Sequence, residues 1–143
     1  MTDEIIIREL RSEDLEDALN LWKISFAAGF SSSFDKRDVL ERYLIRNPGL
    51  STAAFVKDNR LIGALLCGHD GRRGSIYHTA VYPDYRGMNI GRKMEARALE
   101  KLRDEGITTG FLFINVKNPG SKEFWETIGW SVAEEVRYLY KEL

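Results

Sequence analysis

The chain has 143 residues, 21 basic and 22 acidic side chains and a net charge of −1, which suits one domain and excludes binding of nucleic acid through a broad basic face. Its 43% hydrophobic residues include three Trp, six Tyr and seven Phe, enough for a core, so a disordered chain is excluded. A lone cysteine, Cys67, excludes an internal disulfide framework, and with no secretory pattern after M-T-D-E and no membrane-length apolar run the expectation is a cytoplasmic protein without membrane contact.

Residues 4–10 read as a strand with an isoleucine triplet. Ser12 is placed to cap a helix in which Leu15, Ala18, Leu19, Trp22 and Phe26 recur at helical spacing to about Ala27. Residues 29–33 are a loop of small residues. Asp35 is placed to cap a second helix carrying Val39, Leu40, Tyr43 and Leu44, which must stop before Pro48. Residues 52–57 and 61–67 read as strands joined by an Asp58-Asn59 turn. G-H-D-G-R-R-G, residues 68–74, is a second turn, and residues 75–81 form the fourth strand. Ile90, Met94, Ala98, Leu99 and Leu102 line one stripe of a third helix that ends near Gly106. Residues 111–115 read as a short strand buried on both faces, residues 121–128 as a helix closed by Gly129, and residues 130–140 as a final strand bulged at Glu134-Glu135. The order β-α-α-β-β-β-α-β-α-β predicts an α/β fold of α+β type, one domain over residues 1–143, with a mixed sheet and helices on both faces.

The densest chemistry is A-V-Y-P-D-Y-R-G-M-N-I-G-R-K-M, residues 80–94. A strand stops at Pro83, a basic turn carries Gly87, Asn89 and Gly91 at alternate positions, and a helix follows. Unpaired amides at a helix start, aided by the helix dipole, make an anion cradle. Small residues let phosphate approach the backbone, and Arg86, Arg92 and Lys93 add local positive charge. A ligand ending in a pyrophosphate is expected. Neither G-x-x-x-x-G-K-[ST] nor G-x-G-x-x-G occurs.

On these residues the chain resembles the GNAT superfamily of acyl-CoA-dependent N-acetyltransferases. The family signature [QR]-x-x-G-x-[GA] is matched by Arg86-Gly87-Met88-Asn89-Ile90-Gly91, and its V-x-P-x-Y lead-in by Val81-Tyr82-Pro83-Asp84-Tyr85. A second patch agrees: Asn118, then Trp125, then Gly129-Trp130. The turn at 68–74 also resembles the small bacterial YpeA-like branch. There are two departures. Asn89 stands where the family usually has glycine, and asparagine tolerates left-handed geometry well. Trp125 stands where many members have a tyrosine thought to protonate the leaving thiolate, which an indole N–H cannot do.

The resemblance implies a six- to seven-stranded sheet splayed between strands 4 and 5, with acetyl-CoA as co-substrate. It implies pantetheine along Thr79, Ala80 and Val81, and pyrophosphate over Arg86, Gly87, Met88, Asn89, Ile90, Gly91 and Arg92. It further implies a backbone N–H at Val81 as oxyanion donor, with Asn118 and Trp125 on the cofactor. The reaction implied is direct attack by a primary amine in a ternary complex. A small-molecule or peptide amine is the implied acceptor.

The residues themselves leave the base open between His78 and Tyr77 on the fourth strand and His69 with Asp70 at the turn. His78 has the intrinsic chemistry for base work, against the plainer role of a packed strand histidine. Tyr77 and Tyr82 read as packing residues. Asn118, followed by Pro119, also reads as a helix N-cap. Cys67 reads as a buried small side chain, and two histidines with one cysteine give no metal-ligand spacing. Trp22 and Phe26 read as core, with the end of their helix and the 29–33 loop rimming the acceptor cleft. A non-catalytic acyl-CoA-binding module is the alternative function, and a homodimer that lends cover to the cleft is a further expectation.

Overall fold

In the computed structural model, which describes residues 4–26 and 30–143 apart from the Pro119 side chain, five strands form one sheet. They are β1 (Ile6–Glu9), β2 (Thr52–Val56), β3 (Arg60–His69), β4 (Gly74–Val81) and β5 (Gly110–Leu112), in the spatial order β1-β2-β3-β4-β5. The helices are α1 (Leu15–Ser25), α2 (Arg37–Arg46), α3 (Ile90–Asp104) and α4 (Pro119–Thr127). Strands β1 to β4 pair antiparallel, and β5 joins β4 in parallel. The chain through Leu112 makes one unit and Phe113–Leu143 a second. No helix of the described residues is long and apolar enough to cross a membrane.

All of β2 and Leu61 to Gly68 of β3 are buried, because helices cover both faces. On one face α1 and α2 set Leu15, Ala18, Leu21, Trp22 and Leu40 against Ala53, Phe55, Leu61, Ala64, Leu66 and Ala80. On the other lies α3, whose Met94, Ala98 and Leu102 are buried; Arg97 donates to Thr52 Oγ1 at 2.8 Å. The α3 helix closes at Gly106 (φ +81°), as expected, with Ile107 N–H donating back to Leu102 O at 3.0 Å. Asp58 and Asn59 both take left-handed geometry in the turn between β2 and β3.

Gly68 marks a close approach. A Cβ there would stand 2.6 Å from the Tyr43 hydroxyl and 2.7 Å from Asn47 Cγ. Asn47 cannot swing aside freely, since it accepts from His69 N–H at 3.0 Å and donates to Tyr43 O at 3.2 Å. Gly68→Ala is therefore expected to cost about 1–3 kcal/mol through overpacking, read as a lowered urea midpoint with an unchanged slope.

Several expected elements change. Ser12 makes no cap; residues Ser12–Asp14 form a single 3-10 turn. The Asp14 carboxylate instead accepts from Arg11 N–H and from Arg8 Nη1, both at 2.9 Å, so the acid holds the turn that starts α1. The expected extension of that helix to Ala27, and Gly29 of the following loop, lie outside the described residues. Strand β5 is shorter than expected and half-buried, and Phe113 beyond it is 54% exposed.

The six- to seven-stranded sheet is corrected to five among the described residues, because 130–140 joins no ladder. In the second unit Phe113 packs on Tyr138 at 4.8 Å, and Tyr138 stacks on Tyr140 at 6.0 Å.

Candidate active site

The pairing of β4 changes along its length. Gly74, Ser75 and Ile76 pair with Gly110, Phe111 and Leu112, and the parallel ladder ends there. From Tyr77 to Val81, β4 has a strand partner only on the β3 side among the described residues. A splay is expected between strands 4 and 5; the ladder that joins them covers these three residue pairs. Tyr82 N–H donates to Ile62 O at 2.9 Å. By the alternation of an antiparallel ladder, the N–H and C=O of Val81 then point to the opposite, open edge. The Val81 carbonyl indeed leaves the ladder, accepting from Arg86 Nε at 3.2 Å. The Thr79 hydroxyl is buried with no hydrogen-bond partner among the described residues, a polar group that a ligand along this edge would satisfy.

A bulge interrupts the β3–β4 ladder. Ala64 pairs with Ala80 and Leu66 with Tyr77, so His78 and Thr79 together face Leu65. His78 absorbs the extra residue with φ +54°, a conformation histidine enters more readily than most side chains. The consequence is directional. Tyr77 packs into the core beneath α1 and α2, and its neighbour His78 reaches the same side, its ring 5.5 Å from Trp22 and 5.4 Å from Phe26.

There it meets Asp35. The expected role of Asp35 as cap of α2 is not what forms: the helix begins at Arg37 behind Lys36. Asp35 is 4% exposed, and its carboxylate accepts from Ser31 N–H at 2.8 Å and lies 2.8 Å from His78 Nε2. Phe30 stacks 6.4 Å from the His78 ring. Nothing in the spacing of positions 35 and 78 points to this pair.

The geometry of the loop between β4 and α3 follows the residue types. A 3-10 turn spans Pro83–Tyr85, Gly87 has φ +80°, and Asn89 caps α3 at φ +61°, ψ 21°. The first helical bond runs from Lys93 N to Asn89 O at 3.0 Å, so the amides of Ile90, Gly91 and Arg92 precede it. No acid occupies that first turn. Arg86, Asn89 and Arg92 are exposed and Ile90 is buried, which separates groups free to meet an anion from the one that anchors the helix. Arg60, which sequence reasoning missed, reaches this loop by donating to the Tyr85 hydroxyl at 3.1 Å.

The other candidate bases are occupied. His69 Nδ1 accepts from Gly71 N–H at 3.0 Å, so Nε2 carries the hydrogen toward Glu105 Oε1 at 2.9 Å. Asp70 closes its turn by accepting from Arg73 and Arg72 N–H, which hold its carboxyl down at about 2. Both lie at the Gly74 end of β4, about 20 Å along the strand from Val81. Cys67 is fully buried, and burial pushes its thiol up to about 12, which removes it as a nucleophile.

In the second unit, Asn118 is the N-cap residue of α4 but makes no side-chain cap bond. Trp125 is buried edge-on between Phe124 at 5.0 Å and Trp130 at 5.7 Å. Gly129 (φ +104°) closes the helix, with Trp130 N–H donating to Trp125 O at 3.0 Å.

Residues 15–130, which include β4, the loop, α3 and α4, match the acetyltransferase (GNAT) family. The chain belongs to that family. Among GNAT relatives, an acetyltransferase of Sodalis glossinidius is 29% identical over 96% of this chain and 94% of its own length. One of Photorhabdus laumondii is 33% identical over 78% of this chain and 76% of its own. Among solved structures, Ard1 from Thermoplasma volcanium shares the fold at a TM-score of 0.79 and 16% identity, covering 90% of this chain and 84% of that one. The PaiA N-acetyltransferase from Thermoplasma acidophilum, solved with coenzyme A, gives 0.76 at 22% identity, covering 91% of each. This GNAT chain is thus an acetyl-CoA-dependent acetyltransferase.

Proposed function

We propose that the protein moves the acetyl group of acetyl-CoA to a primary amine by direct attack in a ternary complex, with His78 as general base and the Val81 N–H as oxyanion donor. The observation that carries this reading is the His78–Asp35 pair on the stretch of β4 that, among the described residues, has no strand partner on the side away from β3. We read residues 1–143 as one working domain and the acceptor as a small-molecule or peptide amine.

The donor substrate fits the residues present. An open strand edge with the orphaned Thr79 hydroxyl suits the amide-rich pantetheine arm along Thr79, Ala80 and Val81. The acid-free start of α3 suits its pyrophosphate, over Arg86, Gly87, Met88, Asn89, Ile90, Gly91 and Arg92.

An alkyl amine has an ordinary pKa of about 10.4, so it must lose a proton to attack near neutrality. His78 takes that proton as nitrogen adds to the thioester carbonyl. The Val81 amide meets the oxyanion, and such a donor is worth about 2.7–4 kcal/mol. Collapse breaks the C–S bond and releases the thiolate, which takes its proton from water.

The test is thiol release from acetyl-CoA across a panel of amines, with calorimetry of coenzyme A alongside. Amine-dependent thiol release with an acetylated product is the expected result. Coenzyme A binding with no turnover on any amine would replace this reading by the non-catalytic binding module.

A further inference from the structure

We infer that Asp35 is a positioning residue for His78: it fixes the neutral ring as the Nε2–H tautomer and leaves Nδ1 as the nitrogen that receives the amine's proton. The inference rests on the reading of His78 as base and adds to it a second residue and a named atom.

The argument begins with donors and acceptors. An ionised carboxylate only accepts hydrogen bonds, so the ring nitrogen 2.8 Å from Asp35 Oδ1 must carry hydrogen. The other carboxylate oxygen is held by Ser31 N–H at 2.8 Å, and Asp35 N–H returns to Ser31 O at 3.0 Å. The acid is therefore pinned at both ends of a short loop before it meets the histidine. A buried carboxylate without such partners is costly, and this one has them. His78 Nδ1 has no hydrogen-bond partner among the described residues.

The ring is also confined. Trp22, Phe26 and Phe30 stand within 6.4 Å of it, centre to centre, and its backbone is held at φ +54°. Left-handed geometry at a residue other than glycine persists where the surroundings over-determine it. The proton balance is simple. One N–H bond of the amine breaks, one Nδ1–H bond forms, and the imidazolium then faces the Asp35 carboxylate.

The first test needs no variant. Long-range 1H–15N spectra of the labelled protein contain two histidines, separated by assigning His69 through His69→Gln. The expected neutral form of His78 is Nε2–H, and the Nδ1–H form would overturn the inference. In Asp35→Asn the side-chain amide offers the ring a donor as well as an acceptor, so the tautomer preference should relax. We expect kcat to fall about 10- to 100-fold, a part of the range for general-base help, with KM for acetyl-CoA unchanged. Wild-type kcat in Asp35→Asn overturns the inference as well. Should that variant fail to fold, the wild-type tautomer decides. Full turnover in His78→Asn would instead overturn the base assignment, and the two failures are told apart by which variant keeps its rate.

Discussion

Gly91→Glu is expected to lose coenzyme A binding at least about 100-fold while the fold keeps or gains stability. The two effects have opposite signs for the same physical reason. Gly91 is the second residue of α3, in a first turn without acids. A carboxylate there satisfies the helix dipole, worth about 0.3–1 kcal/mol, and replacing a helical glycine adds up to about 1 kcal/mol. On the proposed reading the same carboxylate occupies the field that would hold the pyrophosphate. Like charges about 4 Å apart cost about 1 kcal/mol in water and about 4 kcal/mol at an effective dielectric of 20, and a pyrophosphate carries two. Calorimetric titration with coenzyme A and a thermal melt read the two quantities separately. Affinity within about twofold of wild type would place the pyrophosphate elsewhere.

His78→Asn is expected to lower kcat by about 10²–10⁴ with KM for acetyl-CoA unchanged. Asparagine is chosen because it tolerates φ +54°, so the bulge in β4 survives while the imidazole is lost. Stability falls by about 1–3 kcal/mol, since buried Asp35 loses its partner. The pH dependence carries the sign. Without a base the acceptor must lose its proton to water, and the neutral fraction of an amine rises about tenfold per pH unit up to about pH 10. The variant's rate should therefore climb steadily from neutral to alkaline pH and converge on that of the wild type. A variant with wild-type kcat at neutral pH would remove His78 from the chemistry.

Much of the architecture was legible because it is written locally. Apolar runs mark β2 and β3, helical spacing marks α3, and glycine with asparagine marks the left-handed positions Gly87 and Asn89. Asp35 was not legible. An acid just ahead of an amphipathic stretch looks like a cap, and only tertiary folding brings it to a residue 43 positions away. Ser12 failed for a related reason: two capping types stand close together, and Asp14 outcompetes it through Arg8 and the Arg11 amide. Residues 130–140 carry an apolar and aromatic pattern like that of a strand, but such a pattern specifies a face, not a partner, and among the described residues the stretch joins no ladder.

The three-residue contact between β4 and β5 leaves a stretch of main chain whose offer to a ligand does not depend on which side chains it bears, proline excepted. On the proposed reading, a substitution at Val81 can therefore reshape the wall around an incoming acceptor without erasing the main-chain groups offered to the donor. Divergence in what is acetylated is thereby uncoupled from the means of acetylating it.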